Sequence, residues 1–197
     1  MNDELKELVE EILSCKKCPL HKTRKKPVPG EGKVPSDLML VGEAPGRKED
    51  EEGRPFVGNA GKLLTRCLLR IGISRSNVYI TNIVKCRPPN NRTPTREEIS
   101  SCIHYLVRQI NIVRPKVIVA LGSVAATYLC TRYFPTLNPR PISITRVRGT
   151  VFTSRLGDHV YRVVPTFHPA AILRRRGLED LFVQDLLKAK ELLKNQC

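Results

Sequence analysis

The feature that most constrains this 197-residue chain is a series of four short runs, Asp37–Gly42, Val78–Ile83, Lys116–Leu121 and Tyr161–Thr166, each apolar or β-branched and bounded by turn signals. Runs of this kind are strands, and near-continuous apolarity marks strands buried on both faces. Helical patterns lie around and between them, at Asp3–Ser14, Ala60–Ile71, Arg96–Val113, Ser123–Tyr133 and Leu178–Lys194. Thr95-Arg96-Glu97-Glu98 is a Thr-x-x-Glu capping box that starts the third of these helices, and Pro115 ends it. Strands alternating with helices predict an α/β chain built on a mostly parallel sheet covered on both faces. One compact domain over residues 1–197 is expected. The segment from Pro135 to Asp158, rich in Pro, Arg and Thr, reads as a hairpin or an irregular excursion.

In an open α/β sheet, ligands bind beyond the carboxyl ends of the strands. The first strand ends at Gly42 and opens into a long stretch of Gly, Pro and charged residues that carries a single aromatic, Phe56, among Gly53, Pro55 and Gly58. A loop this long and specialised at this place predicts a pocket. Gly42-Glu43-Ala44-Pro45-Gly46 is not the Gly-x-Gly-x-x-Gly of a dinucleotide site. Gly58 to Leu63 lacks the spacing of a P-loop and the Ser/Thr after its lysine, which excludes ATP binding there.

Composition narrows the partner. Hydrophobic residues make up 41% and charged residues 27%, ordinary for a globular protein. No apolar run approaches the length of a membrane span, and the acidic, amphipathic N-terminus is not a secretory signal, so a cytoplasmic protein is expected. The net charge of +15 comes in clusters: residues 21–26, the group Arg140, Arg146, Arg148 and Arg155, and the triplet Arg174, Arg175 and Arg176. Clustered cations beside loops favour a polyanion partner held with strong salt dependence.

Seven cysteines in such a chain do not suggest disulfides. Cys67, Cys130 and Cys197 read as small buried residues or a tail thiol. Cys15 and Cys18 form a Cys-x-x-Cys pair, Cys86 follows the second strand, and Cys102 lies on the capped helix. Four such thiols suit zinc or an iron–sulfur cluster, and the scattered second pair leans toward the cluster. Either centre would staple the N-terminal helix to the loop after the second strand.

A regular strand order brings Glu43, Phe56, Asn82 and His168 together. Taken singly, each has a plain structural reading. Jointly, an aromatic face, a side-chain amide and an imidazole suit a planar heterocycle with polar edges. An amide offers an acceptor beside paired donors, which matches the N3–H and O4 of uracil. Cytosine shows the reverse pattern and would leave buried groups unpaired.

The motifs GEAPG (42–46), GRPFVGNAGKLL (53–64), TNIVKCRP (81–88) and HPAAILR (168–174), with the cysteines at 15, 18, 86 and 102, resemble the family 4 uracil-DNA glycosylases over nearly the whole chain. The resemblance implies a three-layer α/β/α sandwich with a central four-stranded parallel sheet. It implies a [4Fe–4S] cluster on Cys15, Cys18, Cys86 and Cys102. It implies uracil contacts from Gly42, Glu43, Ala44, Phe56, Asn82 and His168. The activity implied is base flipping and hydrolysis of the N-glycosidic bond in single- or double-stranded DNA, with His168 donating a hydrogen bond to uracil O2. Ala44 stands where better-known uracil glycosylases carry an aspartate, which leaves Glu43 and Glu49, with Asp50 behind them, as candidates for activating water, and Glu43 is favoured. The other reading is that no strong base exists. Gly46 stands where those enzymes carry a tyrosine against thymine, a task that then falls to Glu49. Ile172 or Leu173 would fill the vacated stack or else pack the loop, and Arg174, Arg175 and Arg176 would hold phosphates. A monomer is expected, with a sliding clamp as a possible partner, although no clamp motif stands out. The rival readings are a non-catalytic nucleic-acid-binding module, a zinc-stapled hydrolase of free nucleotides, and a glycosylase of broader base range.

Overall fold

A computed structural model describes residues 3–136 and 138–194; Cys197 lies outside the described residues. In chain order the elements are α1 (Asp3–Ser14), β1 (Glu31–Gly32), β2 (Leu38–Gly42), α2 (Arg47–Glu52), α3 (Asn59–Arg70), β3 (Tyr79–Asn82), α4 (Arg96–Val113) and β4 (Val117–Leu121). They continue with α5 (Ser123–Leu129), α6 (Ile144–Val147), β5 (Phe152–Leu156), β6 (His159–Thr166), α7 (Pro169–Arg174) and α8 (Glu179–Lys194). Among the described residues no helix is long and apolar enough to cross a membrane.

The strands form one sheet in the order β1-β3-β2-β4-β6-β5. The four strands expected from sequence are its centre, and every pairing among them is parallel. The sheet is nevertheless six-stranded and mixed, because β1 pairs with β3 and β5 with β6, both antiparallel. Strand β1 is two residues long, too short to leave a pattern. Strand β5 comes from the Pro-rich excursion and turns at Gly157-Asp158 to run against β6.

Successive residues of each central strand enter different cores, as a two-residue period requires. Leu38, Leu40, Ile80, Val117 and Val119 pack with α3, α7 and α8. Met39, Val41, Tyr79, Ile118 and Ala120 pack with α1, α4 and α5. Helices therefore cover both faces, in three layers. Helix α1 joins its core through Leu5, Leu8 and Ile12, one stripe at helical spacing. Cys67 and Cys130 are buried, as their apolar surroundings predict.

Helix α4 begins and ends where the sequence places it. The Thr95 hydroxyl accepts from Glu98 N (3.3 Å), Glu98 Oε2 accepts from Thr95 N (2.8 Å), and Arg114 closes the helix in the left-handed region. Helix α5 stops at Leu129, short of the expected Tyr133. The backbone of the next residues is taken by the free side of β5: Arg155 N donates to Arg132 O (3.0 Å) and Phe134 N to Arg155 O (2.8 Å).

Two expected surface cations are half-buried and bonded inward. Arg148 donates to Asp185 through Nε (3.0 Å) and Nη2 (2.5 Å), and Asp185 also accepts from the Thr166 hydroxyl (2.6 Å). Asp185 is 2% exposed and joins α8 to the end of β6 and to the segment after α6. Arg24 turns inward to Cys86 Sγ (2.9 Å) and Cys15 O (2.8 Å). Both are corrected from phosphate-facing to structural. Asp185→Ala should lower the unfolding free energy by about 3 kcal/mol in urea titration, because it strands the Arg148 guanidinium.

Candidate active site

A cavity of about 470 Å³ opens at the carboxyl ends of the central strands, within the range of small-molecule sites. Glu43, Phe56, Asn82 and His168 all line it, together with Glu49 and Arg174.

Asn82 is the last paired residue of β3, opposite Gly42 of β2. It is 1% exposed, and its Oδ1 is a buried side-chain atom without a hydrogen-bond partner. A buried acceptor left unmet costs about 1–3 kcal/mol, so a native fold keeps one where a ligand will meet it. Gly42 makes the arrangement possible. A β-carbon there would stand 2.6 Å from the Phe56 ring and closer still to Asn82 Oδ1. Gly42 thus shapes the floor.

Phe56 holds its ring over this floor from a left-handed backbone (φ 48°), a strained position for an aromatic residue. Arg75 holds the turn, donating to Pro55 O (2.6 Å) and Phe56 O (3.0 Å) while its second edge meets Glu31 (3.1 Å). The start of α3 lies against the same turn, and a β-carbon at Gly61 would overlap Phe56 O. Sequence reasoning missed Arg75. It lies some twenty residues from the turn in sequence, and no local motif marks it as a support for Phe56.

His168 caps α7. Its Nδ1 accepts from Ala170 N (3.1 Å), so the neutral imidazole carries its proton on Nε2. Burial pushes its pKa down to about 4, with Glu49 working against the shift and Arg174 adding to it. The ring is therefore neutral at physiological pH. Its centroid lies 5.7 Å from that of Phe56, at a 33° tilt.

The two glutamates differ. Glu49 Oε1 accepts from Val57 N (2.9 Å) and Gly58 N (2.8 Å), at the start of α3. Its other oxygen fills the space of a side chain at position 46, since a β-carbon on Gly46 would lie 2.8 Å from Oε2. Glu43 is half-buried, and burial raises its pKa while a hydrogen bond with Thr93 works the other way. Asp50 is buried and accepts from Lys25 N (2.9 Å), so it is tied to the backbone of the 21–26 segment.

At the rim, Arg174 lines the cavity, while Arg175 and Arg176 are exposed beyond it. Ile172 is corrected as a wedge: it is fully buried in the core beneath α7, which leaves Leu173, 46% exposed, as the apolar side chain presented outward.

Cys15, Cys18, Cys86 and Cys102 line one small cavity with Arg24, Lys85 and Tyr105. Arg24 Nη1 donates to Cys86 Sγ, and Lys85 N to Cys102 Sγ (3.3 Å). Burial pushes the Cys102 thiol up to about 12 and raises Cys18 and Cys86 as well. No group of three or more His, Cys, Asp or Glu side chains among the described residues forms a ready-made metal-ion site. The all-sulfur donor set, with N–H donors on three of the sulfurs (Lys17 N on Cys15, the Arg24 guanidinium on Cys86 and Lys85 N on Cys102), fits a negatively charged thiolate-bound centre.

The family profile of the uracil DNA glycosylase superfamily matches residues 29–191. A type-4 uracil-DNA glycosylase of Pyrobaculum aerophilum is 49% identical over 93% of this chain and 91% of its own. Type-4 uracil-DNA glycosylases of Archaeoglobus fulgidus (47% identical, 96% of this chain and 94% of theirs) and Thermotoga maritima (46%, 98% and 97%) match as fully. The chain belongs to the uracil DNA glycosylase superfamily, among its type-4 members.

Proposed function

We propose that this protein flips uracil out of DNA and hydrolyses its N-glycosidic bond, leaving an abasic site in base excision repair of deaminated cytosine. The observation that carries this reading is the unpartnered Asn82 Oδ1 in the cavity floor. A stacked base is out of reach, so the nucleotide must turn out of the helix into the cavity. There the base lies against Phe56. Asn82 Oδ1 accepts N3–H and the amide donates to O4, a pairing that cytosine cannot make. Glu49, held by two backbone amides in the space above Gly46, blocks the 5-methyl of thymine.

Breaking the bond leaves negative charge on the uracil and positive character on the sugar. His168 Nε2–H donates to O2 as that charge develops, with backbone N–H groups of residues 42–44 assisting. Its Nδ1 bond fixes the tautomer beforehand, so no proton has to be acquired. Glu43 is the group that orients or deprotonates the attacking water, since burial raises its pKa toward the range of a useful base. Leu173 fills the gap in the stack, and Arg174 with the exposed Arg175 and Arg176 holds phosphates.

The four cysteines would hold a [4Fe–4S] cluster. When bound, the cluster supplies a structural cross-link between the end of α1, the loop after β3 and α4. Uracil-containing DNA is the partner, and a cytoplasmic setting suits that role.

The test is incubation with a uracil-containing oligonucleotide followed by alkali, beside a thymine control. Strand cleavage at uracil alone, lost in Asn82→Ala with DNA affinity unchanged, is expected. DNA binding without cleavage, from protein whose brown colour shows an intact cluster, would reject the enzyme in favour of a binding module. His168→Ala should slow excision by on the order of 10²–10³-fold in single-turnover assays.

The pH profile separates the two titrating groups. A base at Glu43 is switched off as pH falls through a raised pKa, above the ordinary 4.5, whereas His168 gains its proton only near 4. The acid limb of the wild-type profile should therefore lie above 4.5, and Glu43→Gln should lower the rate and move the limb toward 4. Cys86→Ser or Cys102→Ser should abolish the brown colour and lower the thermal midpoint, as read by visible absorption and calorimetry.

A further inference from the structure

Lys85 is the one lysine among the described residues that is almost completely buried, at 1% exposure. It lies between the two sites, three residues after Asn82 and immediately before Cys86. Its side chain folds back along β3, and its three ammonium protons meet three acceptors. These are Thr81 Oγ1 (2.8 Å), the backbone carbonyl of Asn82 (2.7 Å) and Gln109 Oε1 (2.6 Å). Gln109 is itself fixed from α4, donating through Nε2 to Pro29 O (2.7 Å) and to the Tyr79 hydroxyl (3.1 Å). The Lys85 carbonyl accepts from Val28 N (2.7 Å).

An apolar side chain would fill the same space without the desolvation penalty of an ammonium. What the ammonium adds is a hydrogen bond to the carbonyl of Asn82, at the last paired position of β3. That residue needs an outside hold. Its carboxamide lines the cavity and the buried Oδ1 beside Gly42 has no partner, so its aim is set by the backbone that carries it and by the close packing of Gly42 and Phe56.

We propose that Lys85 is a positioning residue for base recognition: its ammonium fixes the strand end that aims the Asn82 carboxamide at the uracil edge. The proposal rests on the reading of the cavity as a uracil site. It assigns Lys85 no contact with the base.

Lys85→Met keeps the length and removes the donors. In the cluster-bound protein, binding of free uracil by calorimetry should weaken roughly tenfold, the scale of one lost hydrogen bond to a charged group. Affinity for an abasic-site duplex, which depends on phosphate contacts, should stay within about twofold, and the visible absorption should be retained. Thr81→Val keeps the shape and removes one acceptor of the ammonium, together with the hydroxyl's own bond to Pro29 O (2.8 Å), and should weaken uracil binding less, in the same direction. It carries the test if Lys85→Met does not fold. Unchanged uracil binding in the variant that folds overturns the proposal while leaving the uracil site in place. A parallel loss of uracil binding, duplex binding and colour also overturns it, since that is the signature of a purely structural lysine. If the wild-type protein neither binds uracil nor excises it, the underlying reading fails first.

Discussion

Burial of both faces of the central sheet is the constraint on which the rest depends. A parallel strand covered on both sides has to be entered at one end and left at the other, and here helices carry the chain back from β2 to β3 and from β3 to β4, while the antiparallel β5 returns it into β6. The ends of β2, β3 and β6 therefore open onto the same side of the molecule, and residues far apart in sequence, Glu43, Asn82 and His168, share one cavity. The apolar strands supply the stability, and the polar residues just past their ends are free to be chosen for chemistry.

Those polar residues are held from behind by groups that do not reach the cavity with their own chemistry. Arg75 secures the left-handed turn of Phe56, and the amides of Val57 and Gly58, just before α3, hold Glu49. An α7 amide fixes the tautomer of His168. Strain at Phe56 and the unmet acceptor of Asn82 each cost of the order of 1–3 kcal/mol, and the surrounding bonds offset that cost. Among the described residues, Asn82 Oδ1 is the buried side-chain acceptor left without a partner.

Much of this was legible in the chain. The four central strands are recognisable from their apolar runs, and α4 from its capping box, because the information is local. The convergence of Phe56, Asn82 and His168 follows from strand order, and the four cysteines from their positions beside element ends. What escaped depends on contacts between distant segments. Arg75, Arg24 and Arg148 look like surface cations until the fold supplies Phe56 O, Cys86 and Asp185 as their partners. Ile172 and Leu173 are equivalent as letters, and only the helical phase of α7 against the core separates a buried residue from an exposed one. Two helices of six residues, α2 and α7, carry too few turns to show a period.

The sheet also has edges, and their treatment has a consequence for how copies of the chain meet. At one margin stands β1, only two residues long; at the other, the middle of β5 is already bonded to the backbone of Arg132 and Phe134. An exposed row of unpaired N–H and C=O groups invites a second chain to add a strand. Here neither margin offers a run long enough to act as a template. Crowded molecules of this protein therefore lack the usual seed for edge-to-edge aggregation, even though the strands between those margins are among the most apolar segments it has.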